Sequence, residues 1–136
     1  MSVIAELIRK EADGTLSFGN FELDTKKKLS DFEYEGDLYK VKTFKTMTKL
    51  ERNGLFVYES VPGTSVLHFT ESADGVSFEV EGDEDAQITL ELEEDTEYEV
   101  FLAGKSIGKM KTNLGGKLNI SVELAGAGEV NVKVVK

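Results

Sequence analysis

Apolar and polar residues alternate with a period of two through most of this chain, which confines it to β-structure. Val76, Phe78 and Val80 alternate with Ser77, Glu79 and Glu81, and Ile88, Leu90 and Leu92 with Thr89, Glu91 and Glu93. Tyr98, Val100 and Leu102 continue the pattern, followed by Leu118, Ile120, Val122 and Leu124, and then by Val130, Val132 and Val134. Successive side chains of a strand point to opposite faces, so each run has one apolar face and one wet face. Antiparallel strands packed around a core have this pattern.

Turn signals separate the runs. Asp13-Gly14, Asn53-Gly54 and Asp74-Gly75 favour type I′ turns, in which both central residues need positive φ. Gly36-Asp37 suits a two-residue loop of the II′ kind, and Val61-Pro62-Gly63-Thr64 suits a type II turn with Gly63 at positive φ. Ala103-Gly104, Gly115-Gly116 and the run from Ala125 to Gly128 punctuate the rest. The pattern predicts strands over 2–9, 15–23, 31–35, 38–46, 48–52, 55–60, 65–71, 75–81, 86–93, 96–103, 105–112, 117–124 and 129–135. Val3, Ile4, Leu7 and Ile8 also fit helical spacing with Ser2 as N-cap, but the hairpin-like pattern that follows favours a strand.

These features predict an all-β fold: an antiparallel β-sandwich of consecutive hairpins, its C-terminal part immunoglobulin-like. With 136 residues and no Ser/Pro-rich linker, the chain reads as one unit, 1–136. A subdivision into an N-terminal β subdomain, 1–72, and a small C-terminal sandwich, 73–136, is the alternative.

Charge is distributed unevenly. Between Asn53 and Gly104 there is no lysine or arginine, yet this stretch holds fourteen acids of a chain whose net charge is −10. Most of those acids fall on the wet faces of predicted strands, so the block reads as a surface: Glu79, Glu81, Asp83, Glu84, Asp85, Glu91, Glu93, Glu97 and Glu99. Lysines such as Lys105, Lys109 and Lys111 are placed to pair with it across a sheet. Lys26 to Lys28 and Lys40, Lys42, Lys45, Lys49 and Arg52 form a basic counterweight. The last five are the candidate docking patch, which would meet an acidic surface on another copy or on a partner protein. The negative total argues against nucleic acid as that partner.

The segments Ala5–Arg9, Phe18–Asp24, Gly36–Lys42, Glu59–Thr64 and Gly108–Asn113 resemble a family of small proteins from anaerobic Gram-positive bacteria, often labelled endosialidase. The stretches Tyr98 to Gly104 and Thr112 to Leu124 are similar to small sandwich modules appended to bacterial surface and carbohydrate-active proteins. The first resemblance implies a carbohydrate-active role. The residues give that role no catalytic support. A sialidase grips its substrate carboxylate with three arginines, whereas this chain has only Arg9 and Arg52.

Other chemistry is sparse. Without cysteine there is no disulfide, thiolate site or cysteine nucleophile. His68 is the sole histidine, in a strand with no nucleophile elbow, and it reads as a sheet-surface residue. Asp83-Glu84-Asp85 lacks the central glycine of an EF-hand loop and reads as a solvated turn, so no metal and no cofactor is expected. Tyr34, Tyr39 and Tyr58 are the candidates for stacking on a sugar. The N-terminus lacks the pattern of a secretory signal and no segment is long enough to span a membrane, so a cytoplasmic, membrane-free protein is expected. The expected function is that of a non-catalytic interaction or assembly module, with carbohydrate binding as the alternative.

Overall fold

A computed structural model describes residues 3–136, so the Ser2 end of the first expected strand and the proposed Ser2 cap lie outside the described residues. Thirteen strands follow in order: β1 Ile8–Lys10, β2 Leu16–Phe18, β3 Lys27–Tyr34, β4 Asp37–Thr43, β5 Thr48–Arg52, β6 Leu55–Val61, β7 Ser65–Ser72, β8 Gly75–Glu81, β9 Ala86–Glu91, β10 Glu97–Leu102, β11 Lys105–Lys111, β12 Lys117–Val122 and β13 Val130–Val135. Among the described residues there is no helix, so none is long and apolar enough to cross a membrane.

All pairings are antiparallel, and the strands form two sheets. The larger has seven strands in the order β1-β2-β7-β8-β13-β10-β11, and the smaller has six in the order β12-β9-β6-β5-β4-β3. Strands from both halves of the chain share each sheet, because β7 pairs with β8 and β6 pairs with β9. The sheets close on one core. Tyr58 of the smaller sheet meets Phe18 and Phe78 of the larger edge-on, at centroid distances of 5.3 and 5.7 Å. Val41, Leu50, Ile88 and Ile120 line one side of it, and Leu16, Val66, Val100 and Val132 the other. Each such side chain removed from water contributes about 1.5–3 kcal/mol, which is why the period-two pattern sets the register.

The turns depart from expectation where glycine serves a different purpose. Asn53 and Gly54 have φ of +52° and +79°, and Ala103 and Gly104 have +52° and +81°, as type I′ requires. The third such turn falls on Glu35 and Gly36, at +51° and +83°, one residue earlier than the expected Gly36-Asp37 loop. Asp37 already pairs with Tyr34, which keeps Tyr39 on the inner face. Gly14 alone takes positive φ in its pair. It closes a wider turn in which Gly14 N–H donates to Glu11 O and Glu11 N–H to Thr15 O. The loop between β7 and β8 is Ala73-Asp74, with neither residue at positive φ, and Gly75 opens β8.

The expected type II turn at Val61-Pro62-Gly63-Thr64 is absent. The Val61-Pro62 bond is cis and Gly63 is not at positive φ. Gly63 is glycine for space, because a Cβ there would lie 1.9 Å from the carbonyl oxygen of Phe44. The first strand is shorter than expected, with Leu7 at φ +74°, and the third begins four residues earlier, at Lys27.

Candidate functional site

At one end of the sandwich the β1–β2 and β3–β4 turns and the ends of β5 and β7 converge on a groove of about 560 Å³. Its walls include Asp13, Tyr34, Tyr39, Arg52, Thr70 and Glu71. Arg52 is the last residue of β5, directly opposite Tyr39 of β4. From there its Nη1 donates to Glu71 Oε1 at 2.5 Å and to the Tyr39 hydroxyl at 3.3 Å. The same Arg52–Glu71 pair borders a second hollow of about 290 Å³ that runs on to Glu91, Glu93 and Tyr98. Burial pushes the phenol of Tyr34 above its ordinary range, and burial does the same to Tyr39, so both hydroxyls stay protonated donors. The Tyr34 hydroxyl donates to Gly14 O at 2.6 Å, and the two rings meet edge-on at 5.6 Å.

The structure therefore separates the three tyrosines proposed for sugar stacking. Tyr34 and Tyr39 line the groove, but Tyr39 is only 4% exposed and offers a hydroxyl edge instead of a face. Tyr58 is completely buried and cannot stack on any ligand. It occupies the inner face of β6, opposite buried Leu50 of β5 and Leu90 of β9.

His68 lies beside the groove at φ +55°, where the β7–β8 register slips. Its Nδ1 is 3.0 Å from Thr15 Oγ1 and 3.2 Å from Asp13 Oδ2. Asp13 Oδ1 also accepts from the Thr15 backbone at 3.0 Å and from its hydroxyl at 2.6 Å. A hydrolytic triad needs carboxylate and hydroxyl on opposite ring nitrogens. Here both meet Nδ1, so the cluster ties the β1–β2 turn to β7 and has no relay through the ring. No group of three or more His, Asp or Glu among the described residues is arranged to hold a metal ion.

The acidic block does not form one surface. Glu79, Glu97 and Glu99 are on the outer face of the larger sheet, while Glu91 is on the smaller sheet. Glu81, expected on a wet face, is only 8% exposed at the end of β8. Lysines from the C-terminal segment meet the acids directly: Lys117 with Glu91 at 2.5 Å, Lys136 with Glu93 at 2.7 Å, Lys111 with Asp95 at 3.1 Å and Lys109 with Glu97 at 3.9 Å. Glu99 accepts from Ser106 at 2.7 Å. Asp85 caps the backbone of Leu124 and Ala125 at 3.0 and 3.1 Å, leaving Asp83 and Glu84 exposed in the β8–β9 turn. Loss of hydration, then the neighbouring Glu129, raises the carboxyl of Glu79 above its ordinary value.

The basic residues sort differently. In β4, Tyr39, Val41 and Thr43 face inward, which turns Lys40 and Lys42 outward. Register then aligns Lys28 of β3 with Lys42, and Lys42 with Lys49 of β5, in one row across three strands. Neighbouring strands are about 4.8 Å apart, so the ammonium groups are crowded. Lys42 is held below the ordinary lysine range, above all by Lys40, then by loss of hydration and by Lys28. Three acids lie beside the row: Glu51, 4.0 Å from Lys49 and opposite Lys40 in register, Glu59, opposite Lys49, and Asp31, which lines a hollow with Lys40 and Glu51. Two members of the expected patch lie elsewhere: Lys45 faces Asp24 at 3.5 Å beyond the end of β4, and Arg52 lies in the groove. Lys28 takes their place; the sequence puts it in a separate run, and only the β3–β4 register brings it in.

Against protein-family models, curated proteins and solved structures, the chain finds no match in any of the three comparisons.

Proposed function

We propose that this protein is a non-catalytic interaction module whose lysine face docks an acidic protein surface, on a partner or on another copy. The observation that carries the reading is the row Lys28–Lys42–Lys49 with Lys40 beside it on one sheet face. Glu91, Glu93, Asp95 and Glu97 of the lysine-free stretch are engaged with lysines of the same chain, whereas this row gathers four cations beside Glu51, Glu59 and Asp31. Such a face within a chain of net charge −10 works at short range, where local complementarity outweighs the screened total.

The test is binding of a fluorescent oligo-glutamate peptide at low and at physiological salt. The native protein is expected to bind at low salt and weaken as salt rises, while the double variant Lys42→Glu/Lys49→Glu loses at least tenfold. Equal binding by both, or none by the native protein at low salt, sinks the reading.

A second reading rests on the groove. Tyr34, Arg52 and several carboxylates around about 560 Å³ offer the donors and acceptors that a neutral saccharide requires. The Thr15 hydroxyl beside His68 shares ring Nδ1 with Asp13, which is not a triad arrangement, so binding is the role assigned to the groove. A glycan array without hits removes this reading.

A further inference from the structure

The two sheets end in four open strand edges, and three of them are blunted. The β1 edge is three residues long. The β3 edge carries Lys27 and Lys28 and a register slip between Leu29 and Phe32, with Asp31 at φ +59°. The β11 edge carries Lys105, Lys109 and Lys111 and a slip against β10. Lysines, bulges and shortness are the usual means by which edges avoid pairing with other chains. The β12 edge is longer than β1 and has no slip, and its one lysine, Lys117, is drawn onto Glu91 of β9. Its six residues pair with β9 without a slip, from Lys117 opposite Glu91 to Val122 opposite Ala86.

The hydrogen-bond phase shows which groups it presents. Gly116 O accepts from Leu92, so Gly116 faces β9, while Lys117 faces away and bonds Asn113 through both its N–H and its C=O. Alternation then directs the N–H and C=O of Asn119 and Ser121 outward. Among the described residues no backbone group pairs with them. Their side chains turn back onto β9, since Asn119 Oδ1 accepts from Thr89 at 2.5 Å and Ser121 Oγ from Gln87 at 2.6 Å. Neither therefore shields the edge.

Sheet size supplies the second observation. The larger sheet has one more strand, and β11 is exposed along its length except at Met110. A hollow of about 440 Å³ joins the two layers on this side, with Leu102 and Ala103 above and Ser121, Val122 and Glu123 below. Its rim carries Glu123 and Glu129.

We propose that β12 is a strand-docking edge that takes an extended, cationic segment of a partner protein as a seventh strand of the smaller sheet. Outward backbone groups of Asn119 and Ser121 supply the ladder. Alternate apolar side chains of the segment enter the hollow beneath Leu102 and Val130, and a lysine or arginine meets the acidic rim. Backbone pairing gives affinity and side-chain alternation gives selectivity in this mode of recognition. A second copy is a poorer occupant, because pairing β12 with β12 carries its own overhanging β11 into the same step. The lysine face is at the opposite edge of the smaller sheet, so the two surfaces are independent.

The probe is a capped decapeptide alternating valine with threonine and ending in two arginines, followed by amide NMR. Shift changes confined to about residues 117–123, with slowed exchange of the Asn119 and Ser121 amides, are expected. The same peptide N-methylated at alternate residues is expected to bind at least tenfold more weakly. Ser121→Pro, which removes an outward N–H and leaves the β9 ladder intact, should weaken the parent peptide equally. Lys42→Glu/Lys49→Glu should leave it unchanged. Absence of binding, equal binding of the N-methylated peptide, or Asn119 and Ser121 protection that grows with protein concentration alone each overturns the proposal.

Discussion

At one end of the sandwich, hydroxyls bond one another inside the protein; at the other, charged groups bond one another at a groove. The sealed end gathers Thr43, Thr48, Ser60 and Thr64, all fully buried. Thr43 Oγ1 lies 2.8 Å from Thr48 Oγ1, and Thr48 Oγ1 donates to Thr64 O at 2.8 Å. Thr64 Oγ1 lies 2.8 Å from both Tyr58 Oη and Ser60 Oγ. No buried side-chain polar atom among the described residues lacks a partner. The groove end is made of hairpin turns too, but Arg52, Glu71, Asp13 and His68 there keep roughly a third or more of their side-chain surface exposed. Identical architecture thus closes one end with buried neutral groups that bond one another, and leaves the other open with groups exposed to solvent. Replacing a partner is costly at the first and cheap at the second.

Glycines give the sharpest way to break this comparison. Gly63→Ala puts a methyl group 1.9 Å from the Phe44 carbonyl, against rigid backbone, and should cost about 3 kcal/mol or more. Gly14→Ala, at φ +89° with nothing within 4 Å of its Cβ, should cost only about 1–2 kcal/mol of conformational strain. Urea titration of the two variants measures the difference, and equal losses would show that the sealed end is not packed as described. Thr64→Val comes next. It keeps the shape but strips the hydroxyl shared by Tyr58 and Ser60, at an expected cost of about 2–3 kcal/mol. An unchanged denaturation midpoint would mean that the buried hydroxyls find other partners.

The same contrast explains what could be read from the residues alone. Strands β4, β5, β8, β9 and β10 show the alternation that burial of one face demands, and β5 and β8 occupy the expected residues. The start of β3 does not, because an edge strand exposed on both faces is under no pressure to alternate, and Lys27, Lys28 and Leu29 fall before the expected strand. Gly63 looks like a turn glycine, since a need for space and a need for positive φ give the same letter. The groove was hidden for another reason. Its walls come from two turns and the ends of two other strands, and Arg52, counted with the lysines by charge, is turned toward Tyr39 and Glu71 by its place at the end of β5. Lys40, Lys42 and Lys49 were legible because alternation alone sets their face.

The smallest expected effect tests the open end through pH. Glu11, in the β1–β2 loop, accepts from Ser17 Oγ at 2.6 Å and from Arg9 Nε at 3.1 Å. The Ser17 hydroxyl, first of all, holds its carboxyl below the ordinary value of 4.5; partial burial opposes this and Arg9 supports it. A carboxyl lowered on folding stabilises the protein above its unfolded value, and that contribution disappears as pH falls through the lowered one. Glu11→Gln should therefore cost about 1 kcal/mol at pH 7, with the gap to the native protein closing below pH 4.5. Thermal midpoints of both proteins across that range provide the measurement. A gap that stays constant with pH would assign the loss to packing, and would make the open end as dependent on shape as the sealed one.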